Sequence, residues 1–197
     1  MQLESLPERV ILTDDPLRVK MLAAHHLDNA ALIREQGDGL VYLGSYNDQT
    51  IALIGTGFDE GAAADCLRES KALGAEELVC IGECVSSSHG YPLRSVILAE
   101  GGDRALLRRA QLAATRCGIP VTVDIILPQD KALTEGSGLA DNLTGALCGS
   151  ALECGLALLC ILTVTENTVA GEYMEEQERR SRLYAAARLS FETLAGV

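Results

Sequence analysis

Short apolar runs alternate along the chain with longer segments in which apolar residues recur at helical spacing. The apolar runs predict strands at 10–13, 40–43, 51–54, 78–82, 94–99, 120–127 and 157–164. The longer segments predict helices at 16–27, 59–73, 103–117, 141–154 and 173–194. Because strands that alternate with helices form largely parallel sheets covered on both faces, the pattern predicts an α/β fold with a mixed sheet. No repeat or linker divides the sequence, so we expect one domain over residues 1–197.

Three local signals sharpen the predicted element boundaries. Asp15 precedes Pro16 and is expected to cap the first helix, since an aspartate side chain accepts hydrogen bonds from the first turn. Asn47-Asp48 separates two apolar runs and predicts a tight hairpin turn. The sequence Gly55-Thr56-Gly57 precedes the second helix but lacks the lysine of a P-loop and the third glycine of a dinucleotide fingerprint. We therefore interpret it as a strand-to-helix turn.

Composition and charge restrict the classes of partner. The chain is 48% hydrophobic and 22% charged, as expected of a globular protein. Its net charge of −12 disfavours nucleic acid and anionic membrane surfaces as partners, because both need a basic protein surface. No apolar run reaches the roughly 18–20 residues of a membrane helix, and the first residues lack an apolar signal core. We therefore expect a cytoplasmic protein.

The cysteines and histidines do not form metal-binding patterns. The seven cysteines form no CxxC pair and lie mostly within apolar segments, which indicates buried free thiols. Only three histidines are present, so we expect no metal site and no cofactor. Cys80 and Cys84 are open to two interpretations, a reactive thiol or inert cysteines; nearby carboxylates favour the inert one, because they raise a thiol pKa.

A carboxylate and an arginine suggest chemistry near the end of the last predicted strand. Glu166 follows the apolar run 157–164, and Arg179 lies in the charged segment that begins the last helix. Because the carboxyl ends of buried strands line ligand crevices, Glu166 and Arg179 form a candidate proton-donor pair. The alternative is that Glu166 is a solvated loop residue and Arg179 a helix-surface charge, or that the two only brace the loop against the helix.

Four stretches, in the same order, resemble motifs of the purine and uridine nucleoside phosphorylase family, especially its hexameric bacterial purine branch. ILTDDPLRVK at 11–20 resembles the family's opening LMPGDPLRAK, and the segment 44–57 resembles GTYKG…VMGHGMG. Residues 74–84 resemble GVKKIIRVGSCG. Residues 161–179 resemble ICTVSDHIRT…ERQ, with the acid and arginine thirteen positions apart. The resemblance implies an α/β sandwich of three layers, with a central mixed, partly barrel-like sheet flanked by helices, and a divergent, shortened member of the family.

The resemblance places a phosphate site on residues that have changed in character. The family's phosphate-binding glycine, second arginine and serine correspond to Asp14, Cys80 and Glu83, whereas its first arginine is retained as Arg18. The arginine that the family contributes across a dimer interface corresponds to Gly37, although Arg34 is nearby. Since two new carboxylates repel phosphate, we expect Arg18 to form an internal ion pair with Glu83.

The nucleoside positions implied by the resemblance have changed as well. The ribose-binding Met-Glu pair corresponds to the segment around Asp141, Asn142 and Leu143, in which the essential carboxylate has become Leu143. The base site corresponds to Ala132 and Leu133, which replace the stacking aromatics, and to Thr165 beside the catalytic pair Glu166 and Arg179.

Two functions of different class follow from the resemblance. The first is cleavage of the N-ribosyl bond of a nucleoside, with impaired or absent use of phosphate. The second is a catalytically degenerate protein that binds a small metabolite or serves as a partner subunit, and a purely structural role remains a third reading. A small-molecule nucleoside or related metabolite is the expected partner, and the family's assembly implies a homo-oligomer, a dimer or a trimer of dimers.

Overall fold

The computed structural model of the chain describes residues 4–36, 39–57, 60–129 and 138–196. The strands in these ranges are β1 (Arg9–Thr13), β2 (Asp28–Gln36), β3 (Gly39–Tyr46), β4 (Gln49–Gly55), β5 (Glu77–Ser86), β6 (Val96–Ala99), β7 (Val121–Asp124), β8 (Ile126–Leu127), β9 (Leu139–Ala140), β10 (Ala157–Asn167) and β11 (Glu172–Tyr173). The helices are α1 (Pro16–His26), α2 (Glu60–Ala72), α3 (Arg104–Cys117), α4 (Leu143–Cys154), α5 (Glu176–Arg182) and α6 (Tyr184–Ala195).

All the described strands belong to one mixed sheet. Its main path runs β2-β3-β4-β1-β5-β10-β6-β7, and β8, β9 and β11 pair at its margins. The central strands β4, β1, β5 and β10 are parallel. Strands β2 and β3 pair antiparallel to their neighbours, and β6 is antiparallel to β10 but parallel to β7. Helices pack on both faces, which confirms the predicted α/β fold with a mixed sheet flanked by helices.

Alternating side chains along the central strands build two cores, one on each face of the sheet. In β5, Val79 and Ile81 pack into the core beneath α1, α3 and α6. Leu78 and Cys80 point the other way, into the core beneath α2 and α4. Because both faces of these strands are buried, the strands read in the sequence as continuous apolar runs.

The local signals around the first helix and the first hairpin are confirmed. The Asp15 side chain accepts a hydrogen bond from the backbone N–H of Leu17 at 2.8 Å, and Pro16 begins α1. Asn47 and Asp48 both have positive φ, 48° and 61°, as a two-residue hairpin turn between β3 and β4 requires.

One strand was not predicted, and one predicted helix is divided in two. Strand β2 was missed: its described side chains are exposed or half-buried at the edge of the sheet, and its one apolar run, at 30–33, is short and flanked by polar residues. The single helix predicted at 173–194 is wrong: Tyr173 lies in β11, and two helices meet at Leu183, where the backbone leaves helical geometry at φ −73° and ψ 27°. Neither glycine nor proline marks that break.

Three predicted strands have different ends. The strand predicted to begin at Arg94 begins at Val96, because Arg94 adopts φ 70° in a turn. The strand predicted at 120–127 divides at Ile125 into β7, which pairs with β6, and β8, which pairs with β9. Strand β10 is longer than the apolar run and continues to Asn167, so Glu166 belongs to the strand and does not follow it. None of the described helices combines the length and the apolarity needed to span a bilayer.

Candidate functional site

The expected phosphate and base positions meet at the carboxyl ends of three neighbouring parallel strands. Strand β1 pairs with β5, and β5 pairs with β10. Asp14 directly follows β1, Glu83 lies in the last third of β5, and Thr165 and Glu166 lie near the end of β10. In open α/β sheets the ligand crevice lies at this edge, so the fold brings these positions to the place where a ligand binds.

Arg18 is the buried centre of a group of charges at this edge. It comes from the first turn of α1 and is 4% exposed. Its Nη1 donates to Asp14 Oδ1 and to Thr13 Oγ1, both at 3.1 Å, and its Nη2 donates to Glu83 Oε1 at 2.6 Å. The ion pair between Arg18 and Glu83 that the sequence predicts is present.

A second arginine reaches the same carboxylate from the opposite side. Arg179, in α5, places Nη1 3.4 Å from Glu83 Oε2. The Glu83 carboxylate therefore lies between two guanidinium groups, one from α1 and one from α5. We call Asp14, Arg18, Glu83 and Arg179 the Arg18 cluster.

The electrostatics of the cluster make Asp14 easier to protonate. Burial raises the pKa of Asp14 above its ordinary value, and the neighbouring Glu83 carboxylate raises it further, while Arg18 and the Thr13 hydroxyl act in the opposite direction. Burial outweighs the attraction to Arg18 because the Asp14 carboxylate has lost most of its solvation.

Several polar atoms around the cluster lack a partner. Among the described residues, Nε of Arg18, Nε of Arg179 and Oγ1 of Thr163 are buried without a hydrogen bond. Thr163 lies in β10 directly beside Glu83 of β5. Buried polar atoms without partners are uncommon in folded proteins, so their accumulation here sets this region apart from the rest of the interior.

Glu166 has surroundings unlike those of the cluster. The pairing of β10 with β5 shifts register between Val164 and Glu166, so Thr165 forms a bulge, and such bulges redirect side chains. Thr165 is buried, and its carbonyl accepts a hydrogen bond from Met174 N at 2.8 Å, whereas the Glu166 side chain is exposed. Within the described part of the chain, no hydrogen bond or ion pair joins Glu166 to Arg179.

The residues at the expected ribose position are engaged at the start of α4. The Asp141 carboxylate accepts hydrogen bonds from Leu143 N at 3.2 Å and from Thr144 N and Oγ1 at 2.8 and 2.6 Å. Asn142 accepts a hydrogen bond from Gln129 N at 3.0 Å. The half-buried Leu143 packs against the core beneath α2 and α4. This segment follows β9, which pairs with the end of β5 beyond Glu83.

The structure does not bring Cys80 to the cluster. Cys80 is buried in the core on the face of the sheet opposite to Glu83, together with Cys84. Burial, followed by the nearby Asp141 and Glu83 carboxylates, raises the pKa of the Cys84 thiol far above its ordinary value, which agrees with the interpretation of an inert cysteine. No three His, Cys, Asp or Glu side chains of the described residues are placed to hold a metal ion.

The remaining expected positions are not part of the cluster as described. Ala132 and Leu133, of the base site, and Gly37 fall outside the described residues. Arg34, considered as a substitute for the cross-subunit arginine, pairs with Glu69 at 2.6 Å on the protein surface.

Asn167 and Thr13 lie beside the candidate site, and the sequence analysis did not single them out. Asn167 is buried; its Nδ2 donates to the carbonyls of Ser88 and Tyr91, both at 2.9 Å, and its Oδ1 accepts from Ala170 N at 3.0 Å. It thereby fixes two loops beside Glu166. An asparagine that ends a long apolar run was the available signal, because a buried amide must find partners.

Sequence comparisons find relatives that are named purine nucleoside phosphorylases. No family model matches the chain. The chain is 25% identical over 221 residues to the DeoD-type purine nucleoside phosphorylase of Hahella chejuensis, with 96% of this chain and 94% of that protein covered. It is also 25% identical over 210 residues to the DeoD-type purine nucleoside phosphorylase of Bacillus subtilis, with 91% and 90% covered.

Solved structures give the same fold. Purine nucleoside phosphorylase from Toxoplasma gondii, in complex with immucillin-H, superimposes with a TM-score of 0.86 at 17% identity, over 99% of this chain and 93% of that chain. Uridine phosphorylase from Vibrio fischeri superimposes with a TM-score of 0.80 at 20% identity, over 96% and 91%. In its motifs, in its relatives and in its fold, the chain is therefore similar along nearly its whole length to purine and uridine nucleoside phosphorylases.

Proposed function

We propose that the protein cleaves the N-ribosyl bond of a nucleoside and uses water in preference to phosphate as the acceptor. The observation that carries the proposal is the Glu83 carboxylate between Arg18 and Arg179. The family relatives support the bond that is cleaved, and the acidic cluster supports the choice of acceptor.

The cluster opposes an incoming phosphate in two ways. Its guanidinium groups are already engaged by Glu83 and Asp14, so phosphate must displace a carboxylate to reach them. If the carboxylate stays, two like charges about 4 Å apart repel by roughly 4 kcal/mol at an effective dielectric near 20, and a dianion is repelled more strongly. Water meets neither obstacle.

Asp14 is the proposed general base that activates the attacking water molecule. Asp15 is occupied as the cap of α1, and Glu83 is held by two arginines, which leaves Asp14 as the carboxylate with a raised pKa and a single cationic partner. A carboxylate whose pKa is raised towards the working pH is a better general base. In the proposed reaction the C1′–N bond breaks and its electron pair goes to the departing nucleobase. Water attacks C1′, and Asp14 takes the proton that the water loses.

Glu166 is the proposed proton donor to the departing base. It lies at the end of β10, where the bulge at Thr165 sets its direction, and its exposed carboxyl is open to a ligand at the mouth of the crevice. Protonation of the base makes it a better leaving group from an oxocarbenium-like sugar. Arg179 is proposed to orient that proton after substrate has entered.

A nucleoside panel tests this proposal. Purified protein is incubated with purine and pyrimidine nucleosides with and without phosphate, and the released base is measured. We expect base release that is independent of phosphate and that falls on Glu166→Gln substitution. Turnover that strictly requires phosphate would overturn the choice of acceptor, and absence of turnover with every nucleoside would overturn the enzymatic assignment.

The second candidate is a degenerate family member that binds a small metabolite or serves as a partner subunit. It is favoured by the engagement of Asp141 with the start of α4, since that carboxylate has little capacity left for ribose hydroxyls. Thermal-shift screening against nucleosides, bases and unrelated metabolites, together with co-purification with an active phosphorylase, distinguishes this candidate. Stabilisation by a ligand without any turnover would favour it.

We also propose that the protein is a cytoplasmic homo-oligomer, a dimer or a trimer of dimers. The proposal rests on the family resemblance. Light scattering coupled to size-exclusion chromatography would measure the mass in solution, and a monomer at all concentrations would overturn it.

A further inference from the structure

A pocket of about 260 Å³ lies between α1 and the junction of α5 with α6; it shares Arg18 with the Arg18 cluster, but neither Thr165 nor Glu166 lines it. Met21 and Leu22 of α1 form one wall, and Leu183 and Ala187 form the other. The rings of His25, His26 and Tyr184 border it, and Arg18 lies at one end. The mainly apolar lining with a few polar groups is the usual composition of a small-molecule site, and the volume is suited to a ligand of one or two rings.

A series of aromatic rings ends at this pocket. Tyr46 packs against Phe191 with ring centroids 5.0 Å apart, and Phe191 stacks on His26 at 4.7 Å with planes 23° apart. Tyr184 continues the series, 5.6 Å from His26. The inner rings are covered by their neighbours, but Tyr184 remains 62% exposed, so the series ends in an aromatic ring that borders the pocket and has solvent beside it.

The polar groups around the pocket suit a neutral ring. None of the described residues that line it is acidic, and the positive charge of Arg18 is balanced by Asp14 and Glu83. Burial, with the adjacent His25, lowers the pKa of His26, which keeps its imidazole neutral at physiological pH. Among the described residues, the Tyr184 hydroxyl and the imidazoles of His25 and His26 have no hydrogen-bond partner, so they can donate to or accept from the edge of a heteroaromatic ring.

We propose that this pocket binds a neutral, planar nitrogen heteroaromatic molecule of one or two rings, stacked on Tyr184, at a site separate from the crevice. Stacking on an exposed tyrosine gains attraction for any flat π-system, and ring nitrogens and exocyclic groups supply hydrogen bonds that a purely hydrocarbon ring lacks. The proposal does not rest on the proposed turnover, because it requires binding alone.

The absence of tryptophan from the sequence permits a direct test. The Tyr184→Trp substitution keeps a flat aromatic ring at the pocket and adds a single fluorescent reporter. Leu112→Trp is the matched control, because Leu112 is similarly exposed, at 63%, and lies on α3, where it does not line the pocket. Adenine is the probe, and cyclohexanol is the non-aromatic control. We expect adenine to quench the new tryptophan in the Tyr184→Trp protein, saturably, and to leave the Leu112→Trp protein unchanged.

Calorimetry with adenine then separates this pocket from the crevice. Tyr184→Ala is expected to weaken adenine binding by roughly tenfold, as the loss of one stacking side chain does, whereas Glu166→Gln should leave the pocket's affinity unchanged. Binding that weakens only with Glu166→Gln would assign adenine to the crevice and overturn the proposal. A tryptophan emission that shifts to shorter wavelength with protein concentration, without quenching by adenine, would also overturn it, because a second copy of the chain would then occupy the pocket.

Discussion

The Arg18 cluster and the Glu166 end of β10 lie at the same edge of the sheet, but their side chains have opposite surroundings. In the cluster, the buried Arg18 and the more exposed Arg179 pair with the half-buried carboxylates of Asp14 and Glu83. Glu166 is exposed, and the bulge at Thr165 directs it away from the regular ladder. The first region is closed by the protein's own carboxylates and the second remains open to a ligand. On the proposed function, the closed region would concern the use of phosphate and the open region the protonation of the departing nucleobase.

The largest expected effect concerns the stability of the closed region. Arg18→Met leaves Asp14 and Glu83 without their buried cation, which should lower the free energy of unfolding by about 3 kcal/mol. The control is Arg34→Met, which breaks the more exposed pair with Glu69 and should cost at most about 1 kcal/mol. Urea denaturation of both variants measures the difference, and equal losses would contradict the distinction between a buried and a surface ion pair.

The next effect concerns phosphate affinity. Glu83→Ser removes the carboxylate between the two arginines and should strengthen phosphate binding at least tenfold, about 1.4 kcal/mol, a conservative part of the repulsion expected at this distance. Calorimetric titration with phosphate measures the change. Glu83→Asp keeps the charge on a shorter side chain and should show little gain. An equal gain in both variants would indicate that side-chain size, and not charge, limits phosphate binding.

A smaller effect concerns the pH dependence of stability. The pKa of Asp14 is raised in the folded protein, so the protonated carboxyl contributes to the free energy of unfolding. That contribution is fully present below the ordinary pKa of 3.8 and is lost as pH rises through the raised pKa. Asp14→Asn cannot lose a proton, so the wild type should lose stability relative to this variant as pH rises from acid to neutral. Unfolding measured across that range tests the sign. A relative gain of the wild type would mean that attraction to Arg18 outweighs burial.

The smallest effect concerns the stability of the open region. Glu166→Gln removes an exposed charge without a partner among the described residues, so the free energy of unfolding should change by no more than about 0.5 kcal/mol. Chemical denaturation of the variant beside the wild type measures it. A loss of more than about 2 kcal/mol would assign Glu166 a bracing role and weaken its assignment as a proton donor.

The features that could be predicted from the sequence are those set by neighbouring residues. The cap at Asp15 and the turn at Asn47-Asp48 are set by neighbouring residues. Prediction failed where tertiary contacts decide the structure: β2 has few buried side chains, and the break at Leu183 has no helix-breaking residue. The Arg18–Glu83 pair could be predicted because both residues align with phosphate-binding positions of a known motif, Arg18 as the retained arginine and Glu83 in place of a serine.

The parts of the site that could not be predicted depend on distant pairings. Arg179 meets Glu83 across 96 positions of sequence, and the direction of Glu166 depends on a bulge that arises from the pairing of β10 with β5. The amide of Asn167 is fixed by loops about 80 residues away in the chain, 79 positions from Ser88 and 76 from Tyr91. Residue type alone indicates that such groups need partners, but only the fold supplies the identity of the partners.

A crystal structure grown in concentrated phosphate tests the central claim most directly. Our account predicts that Glu83 remains between Arg18 and Arg179 and that no phosphate ion lies beside the Arg18 guanidinium. A phosphate ion bound to Arg18, with Glu83 and Asp14 turned away from it, would contradict the account.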